Sequence, residues 1–332
     1  MGMYQPLYCC WYTARHLCKP LVNGPRLMTL QQLRDFIAVA DLGSLRAAAR
    51  SRGVTAPALA KNIRALEDGL HAVLVERRSR GVALTEAGRA LLAHARLIDS
   101  QASKAAEDIA QRQGKMEGSL SMGVGPSAGV ALLPGVLKDF QRSFPAVNVN
   151  MYGGSYYDHI GPLHQGSLDM AIVAVPDMHE STLDVEHLFY NDLVVACRRG
   201  HPLSRARSLS DLVDCVWVLT GPPGRGPGSA ILEAFRQRDL PRPTRLVQCD
   251  MTWTLNTLLV HSDMLCALPR IMIEQPGLSG SLQALKLVDT LPSYSISLVR
   301  RSNTPLLPIA DHMATLIRRH AHYFAVSQPA AS

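Results

Sequence analysis

The chain has 332 residues, a length that accommodates two or three domains with separate hydrophobic cores. Hydrophobic residues make up 47% of it and charged residues 18%, a balance typical of a globular protein. No apolar run reaches the roughly 18 residues that a membrane span needs, so we expect no membrane partner. The formal net charge of +7 favours an anionic partner.

The seven cysteines are scattered along the chain, and none forms a Cys-x-x-Cys pair. Their odd number and their spacing indicate neither a zinc site nor a disulfide framework, so we expect reduced thiols, a cytoplasmic protein and no metal or cofactor. Cys249 and Cys266 leave open a thiol-based redox sensor. Residues 1–27 differ in composition from the rest, and we interpret them as a disordered extension rather than a signal peptide.

Residues 28–86 carry the pattern of a helix-turn-helix domain. Apolar residues follow a helical period up to Gly43, and Ser44 is a suitable N-cap for a second, alanine-rich helix. Thr55 caps a third helix with Pro57 in its first turn, where a missing N–H group is tolerated. Two short helices joined by a tight glycine-containing turn predict a helix-turn-helix.

The next run, HAVLVERRSRGVALT, has two apolar stretches around a basic turn and predicts a two-stranded wing. Between Ser44 and Thr85, eight basic residues against three acidic ones give +5 of the chain's net +7. A basic patch alone is more often a solvated face of a protein. Combined with a helix-turn-helix and a wing, it predicts nucleic-acid binding.

A long helix is predicted over residues 87–116. Apolar residues recur along it in alternating steps of four and three residues, the spacing of a coiled-coil seam. The positions in this stripe are Leu91, Ala95, Ile98, Ala102, Ala105 and Ile109. The alternative is a helix packed on its own domain, but a narrow stripe with small alanines favours pairing with a second copy, and we predict a dimerisation helix.

From Gly118 onward, strand-like and helix-like segments alternate, which predicts parallel sheets with crossover helices. The strand-like segments are SLSMGVG, VNVNMYGG, DMAIVAV, LVVAC, VWVL, RLVQC, MLCALP and SISLVRR. The helix-like segments are GVALLPGVLKDFQRSF, SAILEAFRQRD, MTWTLNTLLVHS and PIADHMATLIRRHAHYF. Two such series indicate a domain over residues 118–325 with two α/β lobes around a cleft. We assign residues 118–189 and 298–325 to lobe I and residues 190–297 to lobe II.

The segments LQQLRDFIAVADLGSLRAAARSRGV, PALAKNIRALED and RGVALTEAGRALL resemble the DNA-binding end of the LysR-type transcriptional regulators. LLPGVLKDFQRSFP, GSLDMAI and VVACRRGHPL extend the resemblance at lower identity to nearly the whole chain after residue 27. It implies an α/β protein with an N-terminal winged helix-turn-helix, a linker helix and a two-lobed, periplasmic-binding-protein-like effector domain. It also implies a dimer or tetramer that binds double-stranded DNA and a small-molecule effector, with RNA polymerase as a further candidate partner and no enzymatic activity.

The start of the recognition helix departs from the family pattern, which is commonly Ser-Gln-Pro-Ala-Leu-Ser-Arg. Here it is TAPALAK, so Ala56 and Ala60 lack the polar groups that could contact bases or phosphates. We therefore expect phosphate contacts and DNA shape to contribute more than direct base contacts. We predict the groove-facing residues Thr55, Pro57, Lys61 and Arg64 and the backbone-contacting residues Arg77, Arg78 and Arg80.

The sequence GPSAG, with Ser127 at its centre, matches the Gly-x-Ser-x-Gly pattern around the nucleophile of many hydrolases. A serine esterase with Asp263 and His312 or His320 is therefore an alternative. However, only one strand of the domain precedes the turn, whereas the hydrolase elbow follows several. A helix N-terminus also favours an anion, and in the resembling family this loop touches the effector, so we interpret Ser127 as a ligand hydroxyl; a plain N-cap is the simpler alternative.

Three further loops are expected to face the cleft, because ligands gather at the carboxyl ends of strands in α/β folds. Each places a polar group or a helix start after a predicted strand. The predicted effector residues in these loops are Ser155, Thr220, Met251 and Thr252. Together with Ser127 they indicate a small organic or aromatic acid, although each position is also compatible with a cap or a simple crossover loop.

Overall fold

The computed structural model describes residues 28–78, 81–176, 179–221, 228–275 and 277–327. These residues form two units that divide between Asp99 and Ser100, within one long helix. None of the helices in the described ranges is long and apolar enough to cross a membrane.

The N-terminal unit consists of three short helices, a hairpin and the first half of the long helix. Its elements are α1 (Leu30–Leu42), α2 (Leu45–Arg52), α3 (Ala56–Leu70), β1 (Val75–Arg78), β2 (Gly81–Leu84) and α4 (Glu86–Arg112). Side chains of the three short helices, of the hairpin and of α4 share one hydrophobic core, in which Phe36 and Leu59 are fully buried.

Local hydrogen bonds set the ends of the three short helices. Thr29 forms a capping box with Gln32 at the start of α1. The Ser44 and Thr55 side chains accept hydrogen bonds from the third residues of α2 and α3, as their positions in the sequence predict. Gly43 ends α1 with φ 59°, a left-handed conformation that glycine adopts without strain.

The C-terminal unit holds two five-stranded sheets, and we keep the names lobe I and lobe II for each sheet with the helices packed on it. The lobe I elements are β3 (Gly118–Val124), α5 (Pro126–Ala131), α6 (Leu133–Ser143), β4 (Val147–Gly153), α7 (Tyr156–His164), β5 (Met170–Ala174) and β6 (Leu183–Asn191), followed at the end of the chain by β12 (Tyr294–Arg301) and α11 (Pro308–Ser327). The lobe II elements are β7 (Leu193–Arg198), β8 (Trp217–Leu219), α8 (Ser229–Arg236), β9 (Leu246–Gln248), α9 (Thr252–His261), β10 (Leu265–Pro269), α10 (Arg270–Ile273) and β11 (Leu282–Ala284).

The sheets are mixed, whereas the alternating pattern predicts purely parallel ones. In lobe I the order is β4-β3-β5-β12-β6; β3 pairs in parallel with β4 and β5, and β12 is antiparallel to β5 and β6. In lobe II the order is β11-β7-β10-β8-β9, with β7 antiparallel to both neighbours. The prediction of parallel sheets was wrong because the chain passes between the lobes twice, and strands at these passages reverse direction.

Two details of lobe I also differ from the sequence pattern. The helix expected over GVALLPGVLKDFQRSF is two helices that meet at Leu132, because Pro134 starts a new helix in its first turn. Strand β6 is not in the predicted series. It is an edge strand with exposed Glu186 and His187, so its alternation of polar and apolar residues is weak.

Both lobes bury large cores. In lobe I, α5, α6 and α11 cover one face of the sheet, where Met122 and Phe140 are fully buried, and α7 covers the other face. In lobe II a separate hydrophobic cluster packs on each face of the sheet. One cluster contains Trp217 and Phe235, and the other contains Leu259 and Cys266. The carboxyl ends of the parallel strands are therefore supported by packed hydrophobic layers in each lobe.

Candidate DNA interface and ligand cleft

The exposed face of α3 carries the residues predicted to enter a DNA groove. Thr55, Pro57, Lys61 and Arg64 are all exposed, whereas residues of the opposite face are buried in the core. The last three follow one another at steps of four and three residues, so they lie on one side of the helix. None of the ion pairs found among the described residues involves Lys61 or Arg64. Both cations are thus available to an external anion.

A buried carboxylate that the sequence pattern did not identify holds this helix in place. Asp35 on α1 has no exposed surface and accepts hydrogen bonds from Gln31 at 3.1 Å, Arg52 at 3.0 Å and Asn62 at 2.8 Å. Arg52 lies on α2 and Asn62 on α3, so one side chain connects all three helices. A polar residue at a core position of an otherwise apolar helical face was the only signal in the sequence.

Arg52 is therefore not free to bind DNA, although it contributes to the basic count of the segment. Its guanidinium is bound to Asp35, and its side chain is 28% exposed. Arg46 and Arg50 on the same helix are exposed.

The wing is the hairpin β1–β2, which pairs Arg78 with Gly81 at its described end. Gly81 has φ 124°, and a Cβ atom there would lie 2.4 Å from the carbonyl oxygen of Gly43, so only glycine fits. The backbone N–H of Val82 donates to that same carbonyl at 2.9 Å, which fixes the wing to the turn between α1 and α2.

The predicted backbone contacts lie at this hairpin. Arg78 is exposed, and of Arg77 only the backbone, in β1, is described. Arg80 lies outside the described residues.

The apolar stripe of α4 divides into two parts. Ala95 is fully buried in the core of the N-terminal unit, and Leu91 packs against that core. This part of the stripe matches the alternative of a helix packed on its own domain. Ile98 is 42% exposed and Ile109 60%, and Ala105 is also exposed, so this part is free to meet another helix. Ala102 is half-buried.

In the C-terminal unit, Ser127 is the first polar side chain after β3 and is only 5% exposed. Its hydroxyl and the side chain of Asn191 both interact with the phenol of Tyr294 and act to lower its pKa. Burial raises the pKa of Tyr294 to about 12, so the phenol stays neutral and can donate. Tyr294 and Asn191 are partners at the ends of β12 and β6, where the chain passes between the lobes.

Asn191 is 4% exposed, and its Nδ2 atom is buried without a hydrogen-bond acceptor among the described residues. A buried amide donor that lacks a partner costs free energy unless another molecule supplies an acceptor. Sequence reasoning missed both Asn191 and Tyr294. The only feature of the sequence that could have pointed to them is their position, since each is a polar residue near one end of the segment predicted as lobe II, residues 190–297.

The other predicted effector residues lie in loops at the carboxyl ends of neighbouring strands. Both the backbone N–H and the hydroxyl of Ser155 donate to Asp158 at 2.7 Å, which lowers the pKa of that carboxyl. Ser155 is thus a helix cap whose donors are already used. In lobe II, Thr220 and Thr252 are half-buried, whereas Met251 is 66% exposed.

Backbone contacts bring these loops together in pairs. Gly154 donates to Val124 at 3.2 Å, so the loops of Ser127 and Ser155 are neighbours in lobe I. Cys249 donates to Leu219 at 2.9 Å, so the loops of Thr220 and Met251 are neighbours in lobe II. Helix α5 of lobe I contacts α10 of lobe II, and these loops therefore flank the boundary between the lobes.

The residues considered as partners of a nucleophilic serine are engaged elsewhere. Asp263 binds Arg198 at 2.7 Å, His312 packs edge-on against Phe144, and His320 bonds to Asp139 at 2.9 Å. The group that Ser127 faces is the phenol of Tyr294, which stays neutral and cannot accept the serine proton as a general base at neutral pH.

Comparison with known proteins agrees with this architecture. Residues 30–89 match the model of the bacterial regulatory helix-turn-helix protein, lysR family, and residues 113–322 match the LysR substrate binding domain. The chain belongs to the LysR family of transcriptional regulators. The resemblance and the fold class expected from the sequence are thus confirmed: this LysR-type regulator joins a helix-turn-helix DNA-binding domain to an α/β effector-binding domain.

Individual relatives align with this chain over most of their own length and of its length. The SDS degradation transcriptional activation protein of Pseudomonas sp. is 32% identical over 299 residues, which cover 87% of this chain and 95% of that protein. The hydrogen peroxide-inducible genes activator of Dickeya chrysanthemi is 28% identical and covers 88% of this chain and 96% of its own. The crystal structure of full-length CbnR complexed with its target DNA is similar with a TM-score of 0.64 at 25% identity, over 88% of this chain and all of that one (100%).

Proposed function

We propose that this LysR-type regulator responds to a small organic or aromatic acid that binds between lobe I and lobe II. The observation that carries the proposal is the unpaired Nδ2 atom of Asn191, buried beside the hydroxyls of Tyr294 and Ser127. The amide N–H groups of Asn191, and the hydroxyl hydrogen that the contact between Ser127 and Tyr294 leaves free, can donate to a carboxylate, which accepts through both oxygens. The three side chains come from β6, β12 and the start of α5, so a ligand here would bridge elements at the passages between the lobes.

On the DNA side, we propose that α3 enters a groove with Thr55, Pro57, Lys61 and Arg64. Their common exposed face supports this assignment. Arg77, Arg78 and Arg80 of the wing would contact phosphates. Because α3 begins with alanines in place of amide and hydroxyl groups, we expect sequence specificity to arise partly from DNA shape.

For assembly, we propose that α4 pairs with the same helix of a second copy through Ile98, Ala105 and Ile109, with Ala102 between them. The exposure of two isoleucines on one helix supports this role, since burial of each would contribute favourably to association. The fully buried Ala95 and the partly buried Leu91 would support the helix from its own domain. A dimer of this kind presents two recognition helices to one DNA segment.

The proposed effector site is tested with the purified full-length protein and DNA from upstream of its own gene. Aliphatic and aromatic monocarboxylic acids are screened by thermal shift, and any acid that raises the unfolding temperature is added to a footprinting assay. We expect the acid to change the footprint without abolishing binding. An Asn191→Asp variant places a negative charge against the carboxylate and should lose the acid response while retaining DNA affinity.

Asn148→Ala, at an exposed position of β4, is the matched control and should respond like the wild type. An Asn191→Asp protein that responds normally to the acid would contradict the proposed site.

A thiol sensor is the second candidate, because Cys249 and Cys266 lie in one buried cluster and one relative is named for hydrogen peroxide. Cys266 has no exposed surface, and its burial raises the pKa of the thiol, with Cys249 acting in the same direction. A thiol that resists ionisation is a poor nucleophile toward peroxide, so the effector acid is favoured. A Cys249→Ser, Cys266→Ser double variant whose DNA footprint no longer responds to peroxide would reverse this preference.

A further inference from the structure

A small cavity in the C-terminal unit lies away from the proposed effector cleft. It is formed where the second half of α4 meets lobe I, next to Asp169, which immediately precedes β5, and to Arg300 and Arg301 at the end of β12. Since β12 runs antiparallel to β5, these residues mark the amino end of β5, the opposite end of the sheet from Ser127. The cavity volume is about 20 Å³, enough for roughly one water-sized group.

Arg301 lines this cavity, and its guanidinium group has a hydrogen-bond donor without a partner within the described ranges. Its Nε donates to the Thr304 hydroxyl at 2.9 Å, but its Nη1 atom is buried and has no acceptor among the described residues. Loss of hydration lowers the pKa of the guanidinium, and no carboxylate in the described part of the chain opposes that effect. Arginine stays charged in proteins, so Nη1 keeps its N–H groups and can donate to an external acceptor.

The neighbouring charges already have partners. Lys104 of α4 binds Asp169 at 2.6 Å, and the second oxygen of that carboxylate accepts the backbone N–H of Ser121 at 2.9 Å. Arg300 binds Asp184 at 3.0 Å. The partly buried Glu107, beside Lys104, has its carboxyl pKa raised by burial and by Asp169. Of the charged side chains that line the cavity, only Arg301 has no ion-pair partner among the described residues.

The backbone leaves space in front of the unpaired nitrogen. Gly166 has φ 70°, and a Cβ atom there would lie 2.7 Å from the Ser100 hydroxyl and 3.5 Å from Nη1 of Arg301. Ser100 donates to the carbonyl of Gly166 at 2.7 Å, which holds α4 against this turn. A side chain at position 166 would occupy the space that an acceptor for Nη1 needs.

We propose that this cavity is the inner end of an anion site, in which Arg301 binds one oxygen of a small oxyanion, either a carboxylate or an inorganic oxyanion, while the remaining atoms of the anion stay outside the space of about 20 Å³. Lys104, with N–H groups beyond the one that Asp169 accepts, assists from the α4 side. Because Lys104 lies on α4 and Arg301 on β12, the bound anion fastens the second half of the linker helix to lobe I. The site is separate from the effector cleft and does not depend on it.

The test combines crystallography and calorimetry on the full-length protein. Crystals soaked in selenate are expected to show an anomalous peak within hydrogen-bond distance of Nη1 of Arg301. In solution, inorganic phosphate and acetate are titrated separately, which distinguishes the two sources of the anionic oxygen. We expect one site per chain for at least one of them, weakened at least about tenfold in Arg301→Gln, because a charge-assisted hydrogen bond is lost.

Two controls define the outcome. Arg142→Gln removes a highly exposed arginine elsewhere in lobe I, and Asn148→Ala changes an exposed side chain of β4; both should bind the anion like the wild type. Equal binding by Arg301→Gln, or water alone at Nη1 in the soaked crystals, would overturn the proposal. A selenate peak without a calorimetric difference between wild type and Arg301→Gln means binding at crystal concentration only, and also overturns it.

Discussion

Replacing Asp35 by alanine should destabilise the DNA-binding domain more than any surface substitution. The variant removes a carboxylate with no exposed surface and three hydrogen bonds, and it leaves the guanidinium of Arg52 without its countercharge. Removal of one partner of a buried ion pair costs about 3 to 5 kcal/mol. Because the Arg52 side chain is 28% exposed and keeps some hydration, we expect about 3 kcal/mol, the lower end of that range.

The matched control is Asp41→Ala on the same helix. Asp41 also binds an arginine, Arg96, but the two side chains are 47% and 36% exposed. Exposed pairs contribute about 0.2 to 1 kcal/mol, so this variant should lose less than about 1 kcal/mol. The comparison separates the effect of burial from the effect of losing an aspartate–arginine contact.

Amide hydrogen exchange is the suitable assay, because a chain with two units does not unfold in one step. A loss of about 3 kcal/mol corresponds to exchange roughly 100-fold faster in the most protected amides of α1 and α3. The same amides should change by less than tenfold in Asp41→Ala. If Asp35→Ala exchanges no faster than Asp41→Ala, the buried carboxylate does not hold the three helices together and the reasoning fails.

Three further predictions follow from single positions. Arg64→Ala should weaken binding to all DNA sequences and reduce the slope of log affinity against log salt by about 1 in an anisotropy titration; an unchanged slope would remove Arg64 from the phosphate contacts. Gly88→Ala should lower the unfolding temperature of the N-terminal unit, since its Cβ would lie 2.1 Å from the carbonyl oxygen of Leu74, and a wild-type melting curve would contradict this. Burial raises the pKa of Tyr294 from 10.0 to about 12, so its contribution to stability is complete below pH 10 and is lost as pH rises toward 12. Over that window the wild type should lose roughly 2 to 3 kcal/mol more unfolding free energy than Tyr294→Phe in parallel denaturant titrations; equal losses would mean that the phenol is not held neutral.

Much of the N-terminal domain could be predicted from the sequence because its determinants are local. Thr29, Ser44 and Thr55 each cap a helix through a backbone N–H three residues away, so cap and helix appear together in the sequence. Gly43 ends its helix in a conformation that other residues avoid. The exposed face of α3 follows from the helical period alone.

The tertiary structure alone decided which distant polar groups meet. Asn191 and Tyr294 come together because β6 and β12 pair after all of lobe II intervenes, and Gln111 accepts the N–H of Ile309 across 198 residues. It also decided that β12 runs antiparallel to β5 and that Ala95 belongs to its own domain's core. It likewise left Nη1 of Arg301 without an acceptor among the described residues. Helix caps and apolar periods depend on neighbours within one or two turns, which the sequence displays directly. The pairing of buried donors and charges depends on which strands lie side by side, and that depends on the packing of the whole unit.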